Sequence, residues 1–250
     1  MGRLDGKVAV VTGAGRGLGA AMALAFAEAG ADVLIAARTR SQLEEVAQQV
    51  EATGRRAHVV VADLARPEDT AALAATAVEA FGTLDVVVNN VGGTMPNALL
   101  STSTKDLRDA FTFNVATAHA LTTAAVPLML EHSGGGSIIN VASINGVSPG
   151  NFQGIYSITK GAVINMTKAF AKECAQFGIR CNALLPGLTD TKFASALVKN
   201  DSILQMALQH IPLSRVAQPS EMAGAVLYLA SEASSYTTGV SLNVDGGYLA

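Results

Sequence analysis

The 250-residue chain has no tryptophan, few aromatic residues (5%) and few charged residues (15%). Its 17 lysine and arginine residues are scattered rather than grouped, and the formal net charge is -3. A nucleic-acid-binding surface needs a concentrated positive patch, so the composition disfavours that class of protein. Apolar residues make up 50% of the chain, which is ample for the core of one large α/β domain.

Cysteine is scarce as well, because Cys174 and Cys181 are the only two in the chain. Their spacing matches neither a C-x-x-C redox motif nor a zinc-ligand pattern, and no histidine cluster accompanies them. We therefore expect two buried, reduced thiols, and we expect no metal site.

Long uninterrupted hydrophobic runs are also missing. The most apolar stretch, residues 20–37, contains two acidic residues and is broken by Gly30, which excludes it as a membrane-spanning segment. Within its first seven residues the chain passes into an apolar, strand-like run without the layout of a signal peptide. We expect a cytoplasmic protein that contacts no membrane.

Short β-branched segments alternate with longer segments of helical period, which is typical of β-α-β units and a parallel sheet. The strand segments are almost continuously apolar, so we predict helices on both faces of a doubly wound, seven-stranded sheet in a single-domain Rossmann fold spanning residues 1–250. The strands are predicted at residues 8–12, 33–37, 58–62, 86–89, 137–141, 180–185 and 240–244. The helices are predicted at about residues 17–29, 41–52, 67–80, 104–130, 154–176 and 219–230.

A glycine-rich turn joins the first predicted strand to the first predicted helix. It reads Thr12-Gly13-Ala14-Gly15-Arg16-Gly17-Leu18-Gly19. Glycines let the backbone turn tightly and approach a pyrophosphate at the positive end of the following helix. Glycines at such a turn also occur for steric reasons alone, but the position of this turn within a β-α-β unit favours dinucleotide binding.

The end of the second predicted strand indicates which dinucleotide binds. An acidic residue there would bind the ribose of NAD, whereas a basic residue would bind the additional phosphate of NADP. Arg38 follows this strand, while Asp32 begins it and therefore lies at the opposite edge of the sheet. The guanidinium groups of Arg38 and Arg16 match the geometry of a phosphate. We expect NADP(H) as the preferred cofactor, with NAD(H) possible because surface arginines are often merely solvated.

Tyr156 and Lys160 are four residues apart in a predicted helix, which puts their side chains on the same face. A tyrosine has a pKa of ~10 and transfers protons poorly at neutral pH, whereas a nearby ammonium group lowers that pKa. The pair, with Ser143 thirteen residues before the tyrosine, therefore predicts an acid/base device in a redox enzyme.

These motifs resemble those of the short-chain dehydrogenase/reductase family along essentially the whole chain. Asn89-Asn90-Val91-Gly92, Asn114 and Pro186-Gly187 follow in the family's order and approximate spacing. The family usually has alanine where this chain has Val91, a difference that removes no polar group. The resemblance implies an oxidoreductase that interconverts a ketone or aldehyde and its alcohol by hydride transfer.

The resemblance also implies a role for each residue of a catalytic tetrad. Ser143 would bind the substrate carbonyl, and Tyr156 would donate the proton. Lys160 would lower the pKa of the tyrosine and bind the nicotinamide ribose, and Asn114 would hold a water that connects the lysine to solvent. Singly, each residue has a structural alternative, such as capping or core packing. The implied cofactor contacts are Gly13, Gly15, Arg16, Gly17, Leu18, Gly19, Arg38, Asp63, Leu64, Asn90, Val91, Gly92, Tyr156, Lys160, Pro186, Gly187 and Thr189.

Residues 187–212 are predicted to form a lid whose apolar side chains cover the substrate, which favours a hydrophobic carbonyl compound. An ordinary amphipathic helix pair packed on the core is the alternative interpretation. The candidate pocket residues are Ser143, Asn145, Gln153, Leu188 and Phe193.

Two other functions remain open. A 3-oxoacyl-[acyl-carrier-protein] reductase would need a basic surface for its acidic carrier, for which Arg108, Lys168 and Lys172 are candidates. A non-catalytic dinucleotide-binding scaffold is disfavoured by the intact tetrad.

The two longest predicted helices are apolar on more than one face, and family members commonly form tetramers, so we predict a homotetramer, with a dimer as the alternative.

Overall fold

The computed structural model describes residues 3–192, 194–198 and 200–250. Its strands are β1 (Val8–Thr12), β2 (Asp32–Ala37), β3 (Ala57–Val61), β4 (Val86–Asn89), β5 (Gly136–Val141), β6 (Ile179–Pro186) and β7 (Ser241–Val244). All pair in parallel in one sheet of order β3-β2-β1-β4-β5-β6-β7. The order reverses between β1 and β4, where an open parallel sheet forms a crevice at the carboxyl ends of its strands. The predicted single-domain, doubly wound fold is confirmed.

Helices cover both faces of this sheet. Over the described residues they are α1 (Gly17–Glu28), α2 (Arg40–Ala52), α3 (Pro67–Phe81), α4 (Thr104–Phe111), α5 (Thr117–Ser133), α6 (Gly154–Cys174), α7 (Ser195–Val198), α8 (Asp201–Leu208) and α9 (Ala223–Ala230). Successive β1 residues face opposite sides, as the pleat requires. Ala9 and Val11 join the apolar cluster that contains α1, α2 and α9, whereas Val8 and Val10 join the cluster that contains α3, α5 and α6. The nearly continuous apolarity of the strands follows from this two-sided burial.

The helix predicted over residues 104–130 is longer than expected and has a π-helical turn in the middle. α4 continues through Thr112–Ala116, which is π-helical, into α5. In the described part of the chain, Thr104–Ser133 is the one helix long and apolar enough to cross a membrane. Its α5 part packs against α3 and the central strands, so the fold itself accounts for much of its apolar character. The π turn carries Asn114, and single π turns of this kind occur often at functional sites.

The segment after β6 contains two short helices, α7 and α8. The side chain of Asn200 caps α8 by accepting a hydrogen bond from the backbone N–H of Ile203 at 3.2 Å. None of the α8 residues is fully buried, and the side chains of Ile203 and Met206 are exposed. Leu204, Ala207 and Leu208 on its other face are half-buried, so the lid and the amphipathic helix pair both remain predictions. Phe193, a predicted pocket residue, lies outside the described residues.

Candidate active site

The predicted tetrad assembles at the carboxyl ends of β4 and β5, beside the first two turns of α6. Ser143 follows β5 and precedes a short 3-10 turn, Ile144–Gly146. Gly146 packs directly on α6: a Cβ atom there would lie 2.8 Å from the carbonyl carbon of Lys160. This close approach, which a side chain would prevent, holds Ser143 next to the helix that carries Tyr156.

Tyr156 and Ser143 are joined by a hydrogen bond between their side chains. Both residues are nearly buried, each with 8% of its surface exposed. Ser143 Oγ also accepts a hydrogen bond from the backbone N–H of Asn145 at 3.1 Å, which fixes the position of the hydroxyl group. The two hydroxyl groups therefore face the same point, where one carbonyl oxygen could accept a hydrogen bond from each.

Lys160 lies one turn after Tyr156 on the same helix and is buried. Its Nζ donates to the carbonyl oxygen of Val141 at 2.7 Å and lies 5.6 Å from the centroid of the tyrosine ring. Gly92 leaves the space that the ammonium group occupies, because a Cβ on Gly92 would be 2.8 Å from Nζ. Burial lowers the pKa of Lys160 to about 8, since the charged form loses its hydration.

Asn114 completes the tetrad from the π turn before α5, and it is buried. Its Oδ1 accepts a hydrogen bond from the backbone N–H of Gly93 at 2.7 Å, and its Nδ2 donates to the hydroxyl group of Thr159 at 2.8 Å. Both ends of the amide group therefore have a protein partner. The predicted water bridge from Asn114 to Lys160 remains a prediction.

The tyrosine pKa differs from the sequence prediction. Lys160 was expected to lower it, but burial raises the pKa of Tyr156 to about 12, and the hydrogen bond with Ser143 offsets this only in part. That prediction is wrong for the protein alone. The physical reason is that the phenolate would lose its hydration, while the buried lysine, with its own pKa lowered to about 8, holds its positive charge less firmly.

This pKa can be measured in the protein by ultraviolet titration of phenolate. The chain has four tyrosines, so the difference between the titration curves of wild type and Tyr156→Phe isolates one of them. We expect the difference to develop well above pH 10, toward the pKa of about 12 that burial gives Tyr156. A difference that develops near neutral pH would show that Lys160 dominates over burial after all.

The glycine-rich turn between β1 and α1 has the geometry of a phosphate cradle. α1 begins at Gly17, and the side chain of Arg16, the capping residue, accepts no hydrogen bond from the N-terminal N–H groups of the helix. A Cβ on Gly19 would lie 2.4 Å from the carbonyl oxygen of Gly13, so the turn is too tight for any side chain there. Free N–H groups at a helix N-terminus attract anions, and these residues therefore fit the pyrophosphate of a dinucleotide.

Thr12 and Asn90 brace this turn, a structural role that the sequence analysis missed. The Thr12 hydroxyl accepts hydrogen bonds from the backbone N–H groups of Asn90 at 2.9 Å and Val91 at 3.2 Å. Nδ2 of Asn90 in turn donates to the carbonyl oxygen of Thr12 at 2.8 Å. The Asn90 amide group thus stabilises the backbone of the glycine turn. The available signal was a threonine at the end of an otherwise apolar strand, because a buried hydroxyl group needs partners.

The charged residues around β2 lie where the sequence placed them. Asp32 begins the strand and is buried between Arg55 and Arg56, with an N–O distance of 2.6 Å to each. It is therefore bound in a structural ion-pair cluster at the edge remote from the crevice. Arg38, directly after the strand, and Arg16, in the glycine turn, are both exposed.

The remaining predicted cofactor contacts differ in accessibility. Asp63 is exposed, and its Oδ1 accepts from the backbone N–H of Ala65 at 3.2 Å in a turn, whereas Leu64 is buried. Pro186 ends β6, and the following Gly187 abuts Asp245, so that a Cβ there would be 2.6 Å from Cα of that residue. Thr189 is buried and its hydroxyl donates to the carbonyl oxygen of Gly187 at 3.1 Å.

The candidate substrate residues other than Ser143 are only partly buried where the structure describes them. Asn145 and Gln153 flank Ser143 and Tyr156 in sequence, and both are half-buried, as is Leu188. Oε1 of Gln153 is buried without a hydrogen-bond partner in the described part of the chain. Large apolar side chains nearby in sequence are exposed: Met95, Leu99, Leu100, Val147 and Phe152.

Both cysteines are buried free thiols, as predicted from the sequence. Burial raises the pKa of Cys181 to about 12 and also raises the pKa of Cys174. Neither thiol therefore has the character of a reactive thiolate.

Comparison with known proteins identifies the family. A family profile described as "Enoyl-(Acyl carrier protein) reductase" matches residues 13–249, which include the glycines of the turn and the whole tetrad. The uncharacterized oxidoreductase MT0954 of Mycobacterium tuberculosis is 58% identical over 99% of this chain and 94% of its own length. The chain is a short-chain dehydrogenase/reductase. It is therefore an oxidoreductase that acts on CH–OH groups with a nicotinamide dinucleotide.

Other members of this family carry names with different substrates. The 3-oxoacyl-[acyl-carrier-protein] reductase FabG of Thermotoga maritima is 34% identical over 98% of each chain. The structure of L-sorbose reductase from Gluconobacter frateurii, complexed with NADPH and L-sorbose, matches with a TM-score of 0.92 and 35% identity, covering 99% of this chain and 98% of that one. Carveol dehydrogenase from Mycobacterium avium, in complex with NAD, has a TM-score of 0.93 and 30% identity, covering 100% of this chain and 99% of that one.

Proposed function

We propose that this short-chain dehydrogenase/reductase is an NADP(H)-dependent carbonyl reductase that interconverts a hydrophobic ketone or aldehyde and its alcohol. The observation that carries the proposal is the hydrogen bond between Tyr156 and Ser143, one helical turn from the buried ammonium group of Lys160. Hydroxyl groups placed in this way can hold one carbonyl oxygen and give it a proton.

The raised pKa of Tyr156 suits the reducing direction. With a pKa of about 12, the phenol is fully protonated at neutral pH and is ready to act as the proton donor. Ser143 holds the substrate oxygen against the phenol, and the nicotinamide, when bound, supplies the hydride to the carbonyl carbon. The ammonium group of Lys160 then stabilises the negative charge on the tyrosine oxygen until a proton from solvent replaces the one transferred.

The side chains exposed near the site support an apolar substrate. Met95 and Leu100 are almost fully exposed, and Phe152 is exposed four residues before Tyr156. The two segments lie side by side, because the backbone N–H of Asn97 donates to the carbonyl oxygen of Phe152 at 2.9 Å. Exposed apolar side chains are typical of ligand-binding surfaces. They favour a hydrophobic molecule over a fully hydroxylated one.

A substrate screen with both coenzymes tests this function. Ketones, steroids, sugars and acyl thioesters are each assayed with NADPH and NADH by the loss of dihydronicotinamide absorbance. The proposal expects turnover of apolar ketones, faster with NADPH. Exclusive turnover of sugars would overturn the substrate class, and no turnover of any carbonyl compound would favour a non-catalytic dinucleotide-binding scaffold.

The alternative function is 3-oxoacyl-[acyl-carrier-protein] reductase, which the FabG relative favours. Arg108 on α4 and Lys168 and Lys172 on α6 are exposed and provide positive charge for an acidic carrier. A clearly higher kcat/KM for the carrier-bound thioester than for the same acyl group on a small thiol would establish this alternative.

The proposed preference for NADP(H) rests on two positions. Arg38 directly follows β2, and Asp32 lies at the edge of the sheet remote from the crevice. We expect Arg38→Asp to weaken NADPH binding by roughly tenfold or more, as the loss of a charge-assisted hydrogen bond implies, and to favour NADH in relative terms. Dissociation constants are measured by fluorescence titration. Arg40→Asp is the matched control, because Arg40 is also exposed but pairs with Glu44 on α2. If the ratio of NADPH affinity to NADH affinity is unchanged in Arg38→Asp, Arg38 does not select NADP(H).

A cytoplasmic location and a homotetramer remain part of the proposal. α5 and α6 each combine a buried face with further half-exposed apolar residues, which would be covered by other subunits. A dimer formed through one of these helices is the alternative.

A further inference from the structure

Thr159, the residue before Lys160 on α6, uses its hydroxyl group in two hydrogen bonds. The hydroxyl donates to the carbonyl oxygen of Tyr156 at 2.8 Å and accepts from Nδ2 of Asn114 at 2.8 Å. Thr159 is completely buried, so no water competes for either bond. A hydroxyl group has one proton, and this one is given to a carbonyl oxygen. The threonine oxygen can therefore face only a donor on its other side.

This bonding pattern and the backbone N–H of Gly93, which can only donate, together fix which way the amide group of Asn114 points. The NH2 group must face Thr159, so Oδ1 faces the backbone N–H of Gly93 at 2.7 Å. Oδ1 and Nζ of Lys160 both border the space in front of Gly92, since a Cβ on Gly92 would lie 3.1 Å from Oδ1 and 2.8 Å from Nζ. The reversed amide would turn its own N–H groups toward Gly93 N–H and the ammonium group, which is electrostatically unfavourable.

We propose that Thr159 is a positioning residue, which orients the Asn114 amide so that its oxygen faces the ammonium group of Lys160. Thr159 is completely buried and meets Tyr156 only at its backbone carbonyl oxygen, so Asn114 is the tetrad side chain through which it acts. The inference rests on the proposed function and extends it to a residue between the two motif positions Tyr156 and Lys160.

Thr167 provides a matched control on the same helix. It lies about two turns after Lys160, and it is as deeply buried as Thr159. Its hydroxyl donates to the carbonyl oxygen of Val163 at 2.8 Å and accepts from Nδ2 of Asn140 at 2.9 Å. Substitution of either threonine by valine therefore removes the same kind of hydroxyl group from the same kind of asparagine. Only Thr159 contacts a residue of the tetrad.

The test compares Thr159→Val, Thr159→Ser and Thr167→Val with wild type in melting temperature, NADPH affinity and the pH profile of kcat. Both valine variants should lower the melting temperature by similar amounts. Thr159→Val alone should reduce kcat by roughly ten- to a hundredfold, as expected when a buried amide loses its partner. It should also weaken NADPH binding several-fold and displace the pH profile, because the charge on Lys160 changes around its pKa of about 8. Thr159→Ser should restore all three properties.

The proposal is overturned if Thr159→Val matches Thr167→Val in kcat, NADPH affinity and pH profile, since the hydroxyl group would then be merely structural. If Thr159→Val does not fold, Thr159→Cys, which retains the size but is a weak acceptor, takes its place. In an Asn114→Ala background the effect of the Thr159 substitution should disappear, and its persistence there would contradict action through Asn114. If wild type turns over no carbonyl compound, the proposed function fails, whereas the NADPH affinities still decide the role of Thr159.

Discussion

Tyr156→Phe is expected to lower turnover by roughly a thousandfold or more, because general acid catalysis and substrate orientation by the same hydroxyl group are both lost. NADPH affinity should stay within about threefold of wild type, because the nearly buried ring keeps its packing and Lys160 keeps its bond to Val141. Steady-state kinetics and fluorescence titration on the same preparation measure the two quantities.

Tyr228→Phe is the matched control for this substitution. The hydroxyl group of Tyr228 is hydrogen-bonded to Oγ1 of Thr237 at 2.9 Å, on an exposed part of α9 away from the tetrad. Its loss should leave both turnover and NADPH affinity unchanged. Normal turnover in Tyr156→Phe would refute the assigned mechanism. If NADPH affinity fell in parallel with turnover, the loss of activity would come from disturbed cofactor binding and not from the loss of the proton donor.

Gly19→Ala is the second substitution with a large expected effect. The new Cβ would lie 2.4 Å from the backbone oxygen of Gly13, and a backbone atom cannot move aside as a flexible side chain does. The turn must open, which displaces the N–H groups at the start of α1 from the pyrophosphate. We expect dinucleotide affinity to fall by roughly a hundredfold or more, the effect of losing two hydrogen bonds to a charged group.

Gly224→Ala is the control for the added methyl group, because nothing lies within 4 Å of a Cβ at that position in α9. Alanine at a helical position should leave stability unchanged or slightly improved. Isothermal calorimetry gives the affinities, and thermal unfolding monitors the fold. Wild-type NADPH affinity in Gly19→Ala would show that the glycine turn is not the phosphate site.

The sheet and the central part of the site could be predicted from the sequence because the signals there are local. Each strand end differs from its predicted bound by at most one residue, as at β6, which extends from Ile179 to Pro186. An i,i+4 spacing on a long helix was enough to bring Tyr156 and Lys160 together. The position of Asp32 at the start of its strand was enough to predict that it lies at the edge of the sheet remote from the crevice.

The sequence could not give properties that depend on burial from several elements at once. The raised pKa of Tyr156 follows from its depth in the protein, which no spacing in the chain encodes. The π turn at Asn114 is likewise invisible to a helical pattern, because one additional residue in a turn hardly changes the apolar period. The roles of Asn90 and Thr159 come from hydrogen bonds between residues distant in sequence, to Thr12 and to Asn114.

A crystal structure of the protein with NADPH tests most directly the claim that the Tyr156 hydroxyl group works beside a bound nicotinamide. We expect the pyrophosphate at the N-terminus of α1, the ribose within hydrogen-bonding distance of Lys160, and room for a carbonyl group between the nicotinamide and the hydroxyl groups of Ser143 and Tyr156. The reacting carbon would then lie about 3–3.5 Å from the nicotinamide ring. A dinucleotide bound away from this crevice, or a tyrosine hydroxyl group turned from it into the protein interior, would contradict the account.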